Sequence, residues 1–185
     1  MPPKDYHLDR FHIINSTENI VEDILNVCKR MNDEQFFTNN GKWSGAENLE
    51  HLRLSFQKSW QGLFIPKFIS KLLFKKPQHQ SLPYEHLQEK YELLLSQGAK
   101  ATAEYIPDPK ITKYSKEQLL ERFNKTATRY LNEIRYYWEE ENIDLYQFPH
   151  PILGNVTARE LMYFNLFHCW HHYRKMRERN REIFE

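Results

Sequence analysis

The chain has 185 residues, 28% charged and 40% hydrophobic, which suits one domain around a single core and argues against two independent cores. Lys and Arg number 26 against 25 Asp and Glu, a formal charge of +1, so no global electrostatic reason points to nucleic acid or an acidic membrane as a partner. Two cysteines, Cys28 and Cys169, far apart and without CxxC spacing, argue against a disulfide scaffold or a cysteine-based zinc finger and fit a reducing compartment.

The first ten residues carry Lys4, Asp5, Asp9 and Arg10 where a secretory leader needs an apolar run, and the expected location is cytoplasmic. A first helix is predicted from about Thr17 to Met31, with Ile20, Ile24, Leu25 and Cys28 on one face and Ser16 or Thr17 as cap. Ser44-Gly45-Ala46-Glu47 has the spacing of a capping box and precedes Leu49, Leu52, Phe56 and Trp60 at helical intervals, which predicts a second helix. From Gly62 to Thr112, Pro66, Pro77, Pro83, Pro107 and Pro109 break the chain into short pieces. This stretch reads as an insertion over about 62–112, with one helix from Tyr84 to Gln97 and an extended or turn segment from Ile106 to Ile111. Its apolar runs fall short of the roughly 20 residues a membrane span needs.

Ser115-Lys116-Glu117-Gln118 opens a third long helix through Leu119, Leu120, Phe123 and Leu131, and Thr157-Ala158-Arg159-Glu160 opens a fourth. Between them, Asn142 to Asn155 reads as a structured loop. No alternation is sustained enough for a sheet, and no GxGxxG or GxxxxGK[ST] occurs. The expected fold is all-α: a four-helix bundle forming one domain over residues 1–185, with a long insertion between its second and third helices.

His168 and His172 leave the last helix about 40° apart, one turn from each other, which is chelating geometry. Leu161, Asn165, Cys169 and Met176 share their stripe, so the pair faces inward, with His171 off to one side. Two histidines alone cannot close a metal site, and hydrogen-bonded buried imidazoles are the competing reading. Tyr163, Leu166, Phe167 and Trp170 make the opposite side of that helix apolar too, which predicts burial by the insertion or by a second subunit. His51 is the candidate third ligand, but it stands beside Asn48, Ser55 and Ser59 at the flank of its helix's apolar face, so periodicity accommodates a solvent-facing His51 equally well. Glu47 reads as a capping residue, Cys169 as core, and His150 as a local turn cap or a group near the site. The basic run Arg174, Lys175, Arg177, Arg179 and Arg181 reads as favourable to the helix dipole.

Trp43-Ser44-Gly45-Ala46-Glu47-Asn48-Leu49-Glu50-His51-Leu52 and His168-Cys169-Trp170-His171-His172 resemble the two signatures of the DinB/YfiT-like superfamily of metalloenzymes. Phe68 to Pro77 and His150-Pro151-Ile152-Leu153-Gly154-Asn155-Val156-Thr157 are similar to a DinB-like branch, so the likeness runs in order from Trp43 to Met176. The resemblance implies His51, His168 and His172 as ligands of one divalent metal, in a homodimer acting on a small molecule. It further implies a transferase or hydrolase, resembling thiol-dependent S-transferases that use a low-molecular-weight thiol. Lys175 departs from the pattern, which has Gln there. An all-imidazole set favours zinc or nickel over magnesium or calcium. The competing function is a non-catalytic bundle acting as an interaction or stress-related protein. Neither nucleic acid nor a membrane is expected as a partner.

Overall fold

All three expected capping boxes form. In each, the Ser44, Ser115 or Thr157 side chain accepts from the backbone N–H three residues on, while Glu47, Gln118 or Glu160 reaches back to the cap's own N–H. A computed structural model describes residues 6–183; residues 1–5, where the reading of the leader begins, lie outside the described residues. The long helices are α1 (Arg10–Arg30), α3 (Gly45–Leu63), α6 (Lys116–Tyr137) and α7 (Ala158–Arg179), with a short α2 (Asp33–Phe37) after the first. Helix α3 packs on α6 and α7, and α1 packs on the same two, so α1 and α3 occupy opposite corners of a four-helix bundle. The fold is all-α, as expected.

Helix α1 starts seven residues before the expected Thr17. Asp9 caps it by accepting from the His12 N–H, while Thr17 is buried inside the helix with its hydroxyl donating to the Ile13 carbonyl. The core fills the space between the helices. Phe56 of α3 meets Tyr130 of α6 at 5.0 Å between ring centroids, and Cys28 of α1 lies 3.9 Å from the Met176 sulfur of α7.

The insertion is more ordered than its prolines suggest. It holds α4 (Lys67–Phe74), α5 (Tyr84–Ser96) and two 3₁₀ turns at Ala103–Tyr105 and Pro109–Lys113. Helix α5 lies on α7, and Tyr84 and Tyr91 cover Tyr163 and Phe167 at 5.5 and 5.4 Å. The insertion thus buries the second apolar side of the last helix. The expected loop before α7 contains an antiparallel hairpin, β1 (Gln147–His150) with β2 (Gly154–Thr157), whose turn uses Gly154 at φ +79°. Among the described residues this pair is the whole of the β-structure, and it delivers the chain into the Thr157 cap. No helix among the described residues is long and apolar enough to cross a membrane.

Candidate metal centre

His51 sits in the second turn of α3, and His168 and His172 sit one turn apart on α7, the two helices facing each other across the bundle. Their relative exposures are 5, 3 and 5%. The His168 Nε2 lies 3.0 Å from the His51 Nε2 and 3.1 Å from the His172 Nε2, and the three possible donor atoms all fall within 4.8 Å of one another. Among the described residues this is the one group of three or more His, Cys, Asp or Glu so arranged.

The other ring nitrogens fix the protons. The His51 Nδ1 is 2.7 Å from the Tyr105 carbonyl, which can only accept, so Nδ1 carries the proton and Nε2 presents a lone pair. The His172 Nδ1 is 2.6 Å from the Asn48 Oδ1. Asn48 is oriented by its own amide, which donates to the Trp43 and Ser44 carbonyls at 3.0 and 2.8 Å, so its oxygen faces the ring and His172 also presents a bare Nε2. Among the described residues, the His168 Nδ1 has Ser55 Oγ as its one hydrogen-bonding neighbour, at 3.4 Å.

A neutral His168 has one proton and cannot satisfy both of its Nε2 contacts. At least one pair of lone pairs therefore meets at about 3 Å in dry surroundings, unless a cation lies between them. Extra protons are opposed. Burial holds all three rings below the ordinary histidine value of 6.5, His168 and His172 well below it; repulsion from the other histidines adds to the effect at His168 and His172, and Lys175 adds to it at all three. Neutral imidazoles are the ligand form. At the tetrahedral angle, two nitrogens each about 2.0–2.1 Å from one zinc would stand roughly 3.3–3.4 Å apart, a few tenths of an ångström more than the separations on both sides of His168. The three histidines are therefore able to hold a divalent metal.

The neighbours of the rings hold them in place. Trp43 lies against His51 at 4.7 Å and stacks on His172 at 6.1 Å, and Phe164 stacks on His168 at 4.8 Å. His150 packs edge-on against Phe164 at 4.2 Å, while its Nδ1 accepts from the Ile152 and Leu153 N–H groups, so it caps the hairpin turn and reaches the site only through Phe164. A cavity of about 1050 Å³ opens onto His172, bordered by Trp43, Asn48, Lys42, Lys100 and Lys175. A separate cavity of about 630 Å³ over Arg159 touches none of the three histidines.

A profile of the DinB superfamily matches residues 17–176. The chain belongs to the DinB superfamily. No curated protein and no solved structure gives a significant match. In this DinB chain His51, His168 and His172 converge, whereas His171 is turned aside and only half-buried, its ring 5.3 Å from that of His172. Glu47 acts as the capping residue it resembles, and Cys169 is core, its thiol pushed well above its usual range by burial. Arg179 uses its guanidinium on the Thr38, Lys42 and Trp43 carbonyls, fastening the segment before α3 to the end of α7.

Sequence reasoning names Asn48 only as a polar neighbour and misses Tyr105. The Asn48 role was open to inference, because i and i+3 on a helix share a face and Asn48 precedes His51 by three. The Tyr105 contribution is a backbone carbonyl brought in by the insertion, for which no side-chain signal exists.

Proposed function

We propose that this DinB-superfamily chain is a metal-dependent enzyme in which His51, His168 and His172 bind one divalent cation, zinc or nickel. Its activity is read as transfer between a low-molecular-weight thiol and a small-molecule electrophile, in a single-domain cytoplasmic protein that pairs as a homodimer. The observation that carries the reading is the convergence of three neutral Nε2 atoms whose outer rings are held by Tyr105 and Asn48.

A bound cation would add a +2 charge to an uncharged donor set and lower the pKa of a thiol or water brought beside it. The chain's own residues do the rest. Tyr105 and Asn48 keep the His51 and His172 lone pairs turned inward, as partners of ligand imidazoles commonly do. Trp43 and Phe164 keep bulk water from the rings. Lys42, Lys100 and Lys175 give the cavity mouth a positive character suited to an anionic group on a substrate.

The test is metal content by elemental mass spectrometry on untagged protein, comparing wild type with His168→Ala/His172→Ala. About one equivalent of zinc or nickel, lost in the variant, is expected. No metal in either protein and no uptake on titration would overturn the reading. That outcome would leave the non-catalytic bundle.

A further inference from the structure

Helix α4 is turned inside out. Ser70 is buried with its hydroxyl unpartnered, while Phe68 and Leu72, one turn apart, are 75 and 82% exposed, and Leu73 and the preceding Phe64 are exposed as well. Only the side bearing Ser70 and Phe74 faces the protein, where the Phe74 ring meets Phe148 of β1 at 5.7 Å. A monomer does not leave large apolar groups together in water without a use for them.

The same helix carries Lys71 among the apolar groups and Lys75 and Lys76 at its C-terminal end, all three exposed and none in an ion pair with the described residues. Lys71 lies over the Tyr146 ring at 4.8 Å, and Lys67 anchors the flank by donating to the Tyr137 carbonyl, whose own ring is exposed. Two carboxylates close to this face are already engaged. Arg159 holds Asp144 and Glu140 at 2.8 and 2.6 Å in the adjoining cavity, which Lys71 and Lys76 also line.

We propose that α4 is a peripheral docking helix for an anionic lipid surface. Phe68 and Leu72 would enter the boundary between headgroups and acyl chains, while Lys71, Lys75 and Lys76 meet lipid phosphates. Two features favour this occupant over a second copy of the chain. A symmetric pairing through α4 would set each lysine cluster against itself, a like-charge contact. The exposed groups also mix apolar and basic side chains along one short helix, Phe68, Leu72 and Leu73 beside Lys71, Lys75 and Lys76, which suits a helix lying in an anionic interface. A near-zero net charge conceals this, because the cations are gathered locally.

The experiment is co-sedimentation of the full chain with phosphatidylcholine vesicles with and without about one third phosphatidylglycerol, at low and high salt. Wild type is expected to sediment with the anionic vesicles only, and less so at high salt. Phe68→Ser/Leu72→Ser should weaken this at least about tenfold, and Lys71→Gln/Lys75→Gln/Lys76→Gln on the order of a hundredfold, from roughly fivefold per lysine. All substituted side chains are exposed, and circular dichroism checks that the variants fold. Absence of wild-type binding to anionic vesicles, or equal binding by the variants, overturns the proposal. A dimer-to-monomer change on Phe68→Ser/Leu72→Ser in light scattering would also overturn it and assign the face to a second copy. The outcome is independent of metal content.

Discussion

Replacing Asn48 separates its two jobs, one toward His172 and one toward the backbone before α3. Asn48→Ala leaves the His172 Nδ1–H without its acceptor at 2.6 Å and deprives the Trp43 and Ser44 carbonyls of a donor. Losing the partner of a ligand imidazole weakens metal binding about 10- to 100-fold, or about 1.4–2.7 kcal/mol. The Trp43 carbonyl keeps Arg179 and the Ser44 carbonyl keeps the backbone N–H of residue 48, so the orphaned group is the buried His172 Nδ1–H, which destabilises the fold by about 1–3 kcal/mol. Asn48→Asp keeps an acceptor for His172, strengthened by charge, but cannot donate to the two carbonyls. Asp is therefore expected to retain or raise zinc affinity while losing only the stability that those two hydrogen bonds supply. Competition with a chromophoric chelator reads the affinity and thermal melting reads the stability. An Asn48→Ala protein that folds and binds zinc as tightly as wild type would refute the argument.

Lys175→Gln should raise zinc affinity a few-fold at low salt, because an ammonium that lowers the proton affinity of all three histidines also opposes a cation there; an unchanged affinity at low salt counts against it. Metal-free protein should lose stability as pH falls below about 6.5, where the unfolded chain takes up protons that the buried histidines refuse. For His150, held at about 4, the loss runs from pH 6.5 to 4 and then levels off, with a slope of up to about 1.4 kcal/mol per pH unit. Melting in chelator at pH 7 and pH 5 tests this, and equal midpoints would contradict it. Gly45→Ala should destabilise although Ala is the better helix former by about 0.5–1 kcal/mol, because its Cβ would stand 2.8 Å from the Met31 sulfur and 3.3 Å from the Phe36 carbonyl oxygen. Urea denaturation showing a gain in stability would count against that contact argument.

The helix starts were legible because a capping box is local: Ser44, Ser115 and Thr157 each need only the residue three places on. A local rule also misled, since Thr17 offers a hydroxyl that here serves the helix interior while Asp9 caps. His168 and His172 could be read as an inward pair because apolar neighbours share their stripe. His51 could not, because its neighbours on the same flank of the helix, Asn48, Ser55 and Ser59, are polar although buried, and a polar-lined interior looks like a solvent face on a helical wheel. Helix α4 escaped notice because Pro66 and Pro77 bracket a run whose apolar residues point outward. The hairpin escaped because its strands have four residues each and Pro149 stands in one of them.

The Tyr105 carbonyl contributes to the centre from a turn that belongs to neither ligand helix. Under the proposed function, the insertion and the histidine cluster are thermodynamically linked: whatever rigidifies the 103–105 turn tightens a cation held by His51, and occupancy by that cation must disfavour the open turn by the same free energy. Hydrogen exchange and proteolysis within the insertion would thus report on events in the middle of the bundle, making a connecting segment the part of the molecule that senses its loading.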